Sequence, residues 1–305
     1  MPRLLARFAP AAVFRAGLIS LLLSCAPYAA ATTVLSSIQP LQLIAHSVLG
    51  EHGEAQVLLP AGASPHQYTL RPSDMRAVQA ADLLFWVGPE LESFLPKVLE
   101  RRSKPSTALL HAQGMRLKHF AEAHAEEDHH EHDHSHDSLD PHFWLDPHNA
   151  QQIAAVMAEQ LSDLDPANAA AYQANAARFS QALNAADAQL QSRLAPLKDK
   201  PYLVFHQGYD YFEAHMGLKA QGVFVFTPEV QPGARHLHEL RQRLKAVGAA
   251  CIFSEPPQVP RTLHSLGEDL PVRFGQLDPL GQDSANFVAL YLNLGNELAS
   301  CLEQL

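Results

Sequence analysis

From Thr33 to the last helix the chain alternates short apolar runs with amphipathic stretches. The apolar runs predict strands at Thr33–Ile38, Ala55–Leu59, Leu83–Val87, Ala108–His111, Tyr202–His206, Gly222–Phe226, Ala250–Ser254 and Val272–Leu277. The stretches between them predict helices, among them Pro72–Ala81, Glu90–Arg102, Asn149–Leu164 and Gly233–Val247, with a last one at Ser284–Leu302. Strands alternating with helices indicate an α/β fold. Because each half of the chain carries about four strand–helix units, two similar parallel-sheet lobes are more economical than one sheet of eight.

Between the halves, Asp165–Leu197 is Ala-rich and contains no glycine. Asp165 and Pro166 read as an N-cap followed by proline in the first helical position, and Leu183, Leu190, Leu194 and Leu197 share one face. A rigid helix of about 30 residues, about 45 Å long, joining the lobes would limit their movement. The expected divisions are an N-terminal lobe at 32–164, a linking helix at 165–198 and a C-terminal lobe at 199–305. The pattern fails at residues 119–140, an acidic, histidine-rich insertion without apolar periodicity.

Residues 1–31 read as a signal peptide: Arg3, Arg7 and Arg15, then the apolar Gly17–Ser24, then Ala29, Ala30 and Ala31 at a cleavage site. That apolar run is shorter than the roughly 20 residues needed to cross a bilayer. Cys25, preceded by Leu22, Leu23 and Ser24, offers a lipoprotein anchor as a minor alternative. Export places the protein in the periplasm. Loss of the leader leaves 19 basic against 32 acidic residues, moving the formal charge from −10 to −13. That balance lacks the basic footprint of nucleic-acid binding. Cys251 and Cys301 then remain as an even pair in an oxidising compartment, and a disulfide is the natural reading.

Eight of the 18 histidines fall between His119 and His142. In the insertion, His124, His129, His130, His132, His134 and His136 alternate with carboxylates, a weak auxiliary site for several exchanging metal ions. Four other residues suit a preformed metal site: His66 after the second strand, His142 after Asp140 and Pro141, His206 ending a strand, and Asp278 just after another. Ligands of open α/β sheets bind beyond the carboxyl ends of strands, and two candidates from each half place this site in the interlobe cleft. Three imidazoles and a carboxylate suit tetrahedral Zn2+, whereas manganese and ferrous iron prefer more oxygen. Protonation of the histidines should weaken binding below about pH 6.5. Glu255 is expected to accept from a ligand histidine. Arg71 and Asp74 are expected to fix the loop after His66, Trp86 and Trp144 to be core, and His215, His236, His238 and His264 to face solvent.

Leu58–Asp74, Asp140–Pro147, Val204–Phe212, Phe226–Gly233, Ile252–Pro257 and Leu277–Gly281 together resemble the metal-binding solute-binding proteins of ABC importers, and among them the zinc-specific ZnuA type. The matches follow family order over nearly the whole exported chain, and the acidic His-rich loop precedes the second ligand histidine as in that type. The resemblance implies two lobes on a rigid helix, metal held by His66, His142 and His206, a Cys251–Cys301 disulfide, and a membrane permease as partner of a monomeric carrier. Some zinc members carry glutamate before the first histidine, where this chain has Pro65, so the fourth ligand is Asp278 or a water, with Asp278 favoured. A zinc hydrolase is the first rival, but no His-Glu-x-x-His lies on a helical pattern and no Gly-x-Ser-x-Gly elbow occurs. A manganese or iron carrier of the same fold, and an adhesin or zinc buffer, are the others.

Overall fold

The structure is a computed structural model describing residues 32–120, 139–256 and 261–305. The leader, Cys25 and the insertion histidines His124, His129, His130, His132, His134 and His136 lie outside those residues. Four strands, β1 (Thr32–Ser36), β2 (Gly53–Val57), β3 (Leu83–Trp86) and β4 (Ser106–Ala108), form a parallel sheet in the order β2-β1-β3-β4. A second parallel sheet repeats that order as β6-β5-β7-β8, from β5 (Tyr202–His206), β6 (Gly222–Val225), β7 (Ala250–Ser254) and β8 (Val272–Gln276). In each sheet the chain first steps to one side of its opening strand and then returns to pair on the other. The loops leaving β1 and β3, and those leaving β5 and β7, therefore diverge and open a crevice at the carboxyl edge.

Helices α1 (Gln39–Leu49), α2 (Pro72–Ala80) and the single turn α3 (Pro96–Leu99) serve the first sheet. The second is served by α6 (Asp210–Met216), α7 (Ala234–Val247) and α8 (Arg261–Leu266). Between the sheets run α4 (Pro147–Leu164) and α5 (Ala169–Leu194), and α9 (Phe287–Leu302) closes the chain. Helix α5, of 26 residues, buries Tyr172, Phe179, Leu183, Leu190 and Leu194 along one stripe against α1, α4 and α9. Gly295 of α9 lies so near that a Cβ there would stand 2.6 Å from the Leu190 side chain. One apolar cluster runs unbroken from β1 through α5 to α9, and a smaller one around Leu203, Phe224, Leu240 and Ile252 fills the outer side of the second sheet. Cys251 of β7 is bonded to Cys301 of α9, 50 residues on, a closure that stabilises by about 4 kcal/mol through the unfolded chain.

Three elements differ from the sequence pattern. The linking segment starts with a 3-10 turn at Pro166–Asn168, so the α-helix begins at Ala169. Asp165 holds that turn by accepting from Asn168 Nδ2 at 2.7 Å and Tyr172 Oη at 2.8 Å. Helix Glu90–Arg102 shrinks to α3, because Glu92 turns inward to accept from Ser37 Oγ and from the Val87 and Gly88 amides. The fourth strand ends at Ala108, since Leu109 and Leu110 are both buried in a 3-10 turn where a strand would alternate them.

The shared core has a measurable consequence. Leu190→Ala should cost about 2–5 kcal/mol and lower one calorimetric transition common to both sheets; two separable transitions would show that α5 does not unite them.

Candidate metal centre

His66 lies in the loop between β2 and α2. A turn at Pro60–Ala63, with Gly62 at φ 78°, reverses the chain, and Ser64 Oγ accepts from the His66 amide at 3.2 Å. Beyond it, Asp74 Oδ2 accepts from the Arg71 amide at 2.8 Å and from Tyr68 Oη at 2.9 Å, fixing the start of α2. Arg71 and Asp74 thus have the expected role in the loop.

His142 is buried, just before a 3-10 turn at Phe143–Leu145. Asp140 Oδ1 accepts from both its amide, at 2.9 Å, and its Nδ1, at 2.7 Å. Asp146 then caps α4 through the His148 amide at 2.7 Å. Trp144, buried as expected, donates its Nε1 proton to the Pro279 carbonyl at 3.0 Å, crossing to the second lobe; Trp86 is buried too.

His206 ends β5, and Glu255 follows its neighbour β7, so the two flank the crevice of the second sheet. The His206 Nδ1 proton is donated to Glu255 Oε1, which also accepts from Tyr209 Oη at 2.8 Å. The Glu255 expectation is met. With Nδ1 of both rings donating to carboxylates, each Nε2 presents a lone pair, and the two Nε2 atoms stand 3.1 Å apart. The third ring, His66, has its centroid 5.4 Å from His142 and 5.9 Å from His206. One ring nitrogen from each of the three falls within 4.8 Å of the others. A tetrahedral zinc with arms of about 2.0–2.1 Å has nitrogen–nitrogen edges of about 3.3–3.4 Å, close to the His142–His206 separation. These nitrogens face a cavity of about 340 Å³ between the lobes, lined also by Ser64, Trp144, Glu229, Pro256 and Pro279.

Asp278 is not brought into this set. Its Oδ1 accepts from the Leu280 and Gly281 amides at 3.0 and 2.8 Å, and its Oδ2 from the Gln282 amide at 2.7 Å. It caps its own loop and is not grouped with the three histidine nitrogens. His236, His238 and His264 are exposed as expected, whereas His215 is half-buried and its Nε2 pairs with Asp187 at 2.7 Å.

Electrostatics separates the three rings. Burial, then the charges of His142 and His206, pushes His66 down to about 2. Burial, then His206, takes His142 well below its ordinary value. For His206 burial also opposes the charged form, but Glu255 as charge and acceptor, with Asp140 and Glu229 behind it, carries the net shift upward. Burial pushes Asp140 up to about 7 against the His142 amide bond. Two rings therefore stay neutral and ready for metal, and a proton competes at the third.

Sequence reasoning passed over Gly208 and Glu229. A Cβ at Gly208 would stand 2.4 Å from His206 Nε2 and 3.1 Å from His142 Cδ2, so only glycine leaves the two rings room. A glycine two residues beyond a ligand candidate was the available signal. Glu229 belongs to the segment Phe226–Gly233, conspicuous as a motif without an assigned role.

Two parallel-sheet lobes with an imidazole trio gathered between them define a metal-binding solute-binding protein. The family model described as zinc-uptake complex component A, periplasmic (ZnuA), matches residues 34–304. The chain belongs to that family. The high-affinity zinc uptake system protein ZnuA of Yersinia pestis is 38% identical over 95% of this chain and 97% of its own length. The protein of the same name from Brucella suis is 34% identical over 89% and 92%. A ZnuA crystal structure shares the fold with a TM-score of 0.77 at 24% identity, over 90% of this chain and all of that one.

Two outcomes follow for the site. Because His66 and His142 titrate low and His206 high, metal affinity should fall tenfold per pH unit below a single breakpoint above 6.5 and stay flat above it. That differs from a three-histidine titration at 6.5, which competitive titration from pH 5 to 8 would reveal as a slope of two or three. Gly208→Ala should weaken metal binding about 10–100-fold while the thermal midpoint of the metal-free protein moves little; unchanged affinity would show that the rings tolerate displacement.

Proposed function

We propose that this protein captures Zn2+ between its lobes in the periplasm and delivers it to the membrane permease of an ABC importer. The observation that carries this reading is the facing pair of Nε2 atoms 3.1 Å apart, each ring turned by a carboxylate on Nδ1, with His66 alongside. Two lone pairs held that close repel unless a proton or a metal ion lies between them. Three nitrogen donors suit zinc better than manganese or ferrous iron, which favour oxygen-rich sites. The zinc-uptake names of the relatives agree with that choice. The family is a solute-binding one, and we read the site as a carrier's rather than an enzyme's.

Residues 1–31 act as the export leader in this reading. Among the described residues no helix is long and apolar enough to cross a membrane. The insertion histidines His124, His129, His130, His132, His134 and His136 collect zinc loosely and pass it inward. The ends of the insertion meet in a bridge between His119 and Leu139, and Asp140, the partner of His142, follows at once.

The test is zinc stoichiometry and manganese competition after residues 121–138 are replaced by a short Gly-Ser turn that keeps the His119–Leu139 bridge. One tight zinc, undisplaced by excess manganese and lost on His206→Ala, is the expected result. Zinc binding that disappears with the insertion would overturn the interlobe site.

A further inference from the structure

Resting on the reading of His66, His142 and His206 as the zinc ligands, we propose that Glu229 completes the site by accepting a hydrogen bond from a water in the ion's fourth position. Tetrahedral zinc on three imidazoles leaves one position, and an oxygen donor is the usual occupant. Asp278, which caps its own loop, is neither grouped with the trio nor among the residues lining the cavity.

Glu229 lines the same cavity from the second lobe. One of its oxygens, Oε1, accepts from Ser64 Oγ in the first lobe. Its Oε2 is buried and has no hydrogen-bond partner among the described residues. A carboxylate oxygen removed from water without a partner is costly, and such groups occur where a water, an ion or a functional role supplies the compensation. Of the other two carboxylates beside the trio, Glu255 is held by the His206 Nδ1 proton and Tyr209 Oη. Asp140 is held by the His142 Nδ1 proton through Oδ1. Its Oδ2 is likewise buried and unpartnered among the described residues, but Asp140 is not among the residues lining the cavity. Glu229 is thus a cavity-lining carboxylate with a buried oxygen to give, and its charge acts on His206.

Distance decides how it acts. Glu229 is not grouped with the three histidines whose ligand atoms all lie within 4.8 Å of one another, so in this proposal it acts through a water rather than as a direct ligand. Ser64 Oγ, which bonds Glu229, also accepts from the His66 amide. The same carboxylate therefore braces the loop carrying the first ligand, and the test must separate that bracing from the action on the ion.

Glu229→Gln makes the separation, because its amide oxygen still accepts from Ser64 while the negative charge is lost. Ser64→Ala does the converse. On the intact chain, with a chelator competing so that only the tight site is read, Glu229→Gln should weaken zinc binding about 10–100-fold. It should also alter the visible spectrum of the Co2+-loaded protein. Ser64→Ala should weaken binding much less and leave that spectrum unchanged, and Glu229→Asp should recover part of the affinity. Zinc affinity within twofold of the parent in Glu229→Gln, or an equal loss in Ser64→Ala, would overturn the proposal while the three-histidine reading stands. Retention of tight zinc by His206→Ala in the same assay would remove both.

Discussion

His142 and His206 point their Nε2 atoms at each other across 3.1 Å because a carboxylate holds each ring by its other nitrogen. Left alone, two lone pairs at that distance repel, and the frame has to resist the repulsion. The resistance comes from elements that cannot easily turn. His206 is the last residue of a buried strand, and His142 sits between Pro141 and a buried 3-10 turn whose Trp144 is bonded to the opposite lobe. A proton shared between the rings relieves the contact, and so does a metal ion. Competition between the two is therefore built into the geometry, and the upward shift at His206 with the downward shifts at its neighbours expresses it.

Such a contact survives only if the lobes hold their spacing. The cluster that runs from β1 through α5 to α9 belongs to both sheets, and the Cys251–Cys301 bond fastens the last helix to the central part of the second sheet. Opening the cleft wide would break this packing rather than bend a linker, since α5 is buried along its length against three helices. The third ring differs. His66 is only half-buried and sits on a loop held by Ser64, Glu229 and the Asp74 cap, so the compliance of the site is concentrated there.

Except for the fourth, where the expected Ala108–His111 overlaps the observed Ser106–Ala108 at one residue, the strands were legible to within one or two residues. Buried parallel strands are apolar on both faces and stand out from any helix beside them. Tyr202–His206 and Ala250–Ser254 agree at both ends. Glu90–Arg102 misled because an acidic residue in a helical pattern reads as solvent-facing, and nothing local shows Glu92 turning inward to Ser37. His66, His142, His206 and Glu255 were legible because each lies at or just past a strand end or beside a proline turn, where side chains face the cleft. Asp278 carries the same signal, yet an aspartate after a strand serves equally well to cap a loop, and here three amides claim it. Glu229 was illegible for a different reason: its partner Ser64 is 165 residues away, and the contact exists only once both lobes have folded.

In the proposed reading, the carboxylates around the trio also let a doubly charged ion be met without a carboxylate ligand. Asp140 and Glu255 deliver their charge through imidazoles, leaving the donors nitrogenous while the surroundings are anionic. Direct ligation by those two acids would neutralise the ion equally well but would build an oxygen-rich set, favouring manganese and its kind. Separating charge compensation from ligation would, in the proposed reading, favour zinc over manganese. What decides the metal is where each acid stands relative to its histidine, and in this fold that position is set by two strand ends, one proline turn and the glycine that lets the rings approach.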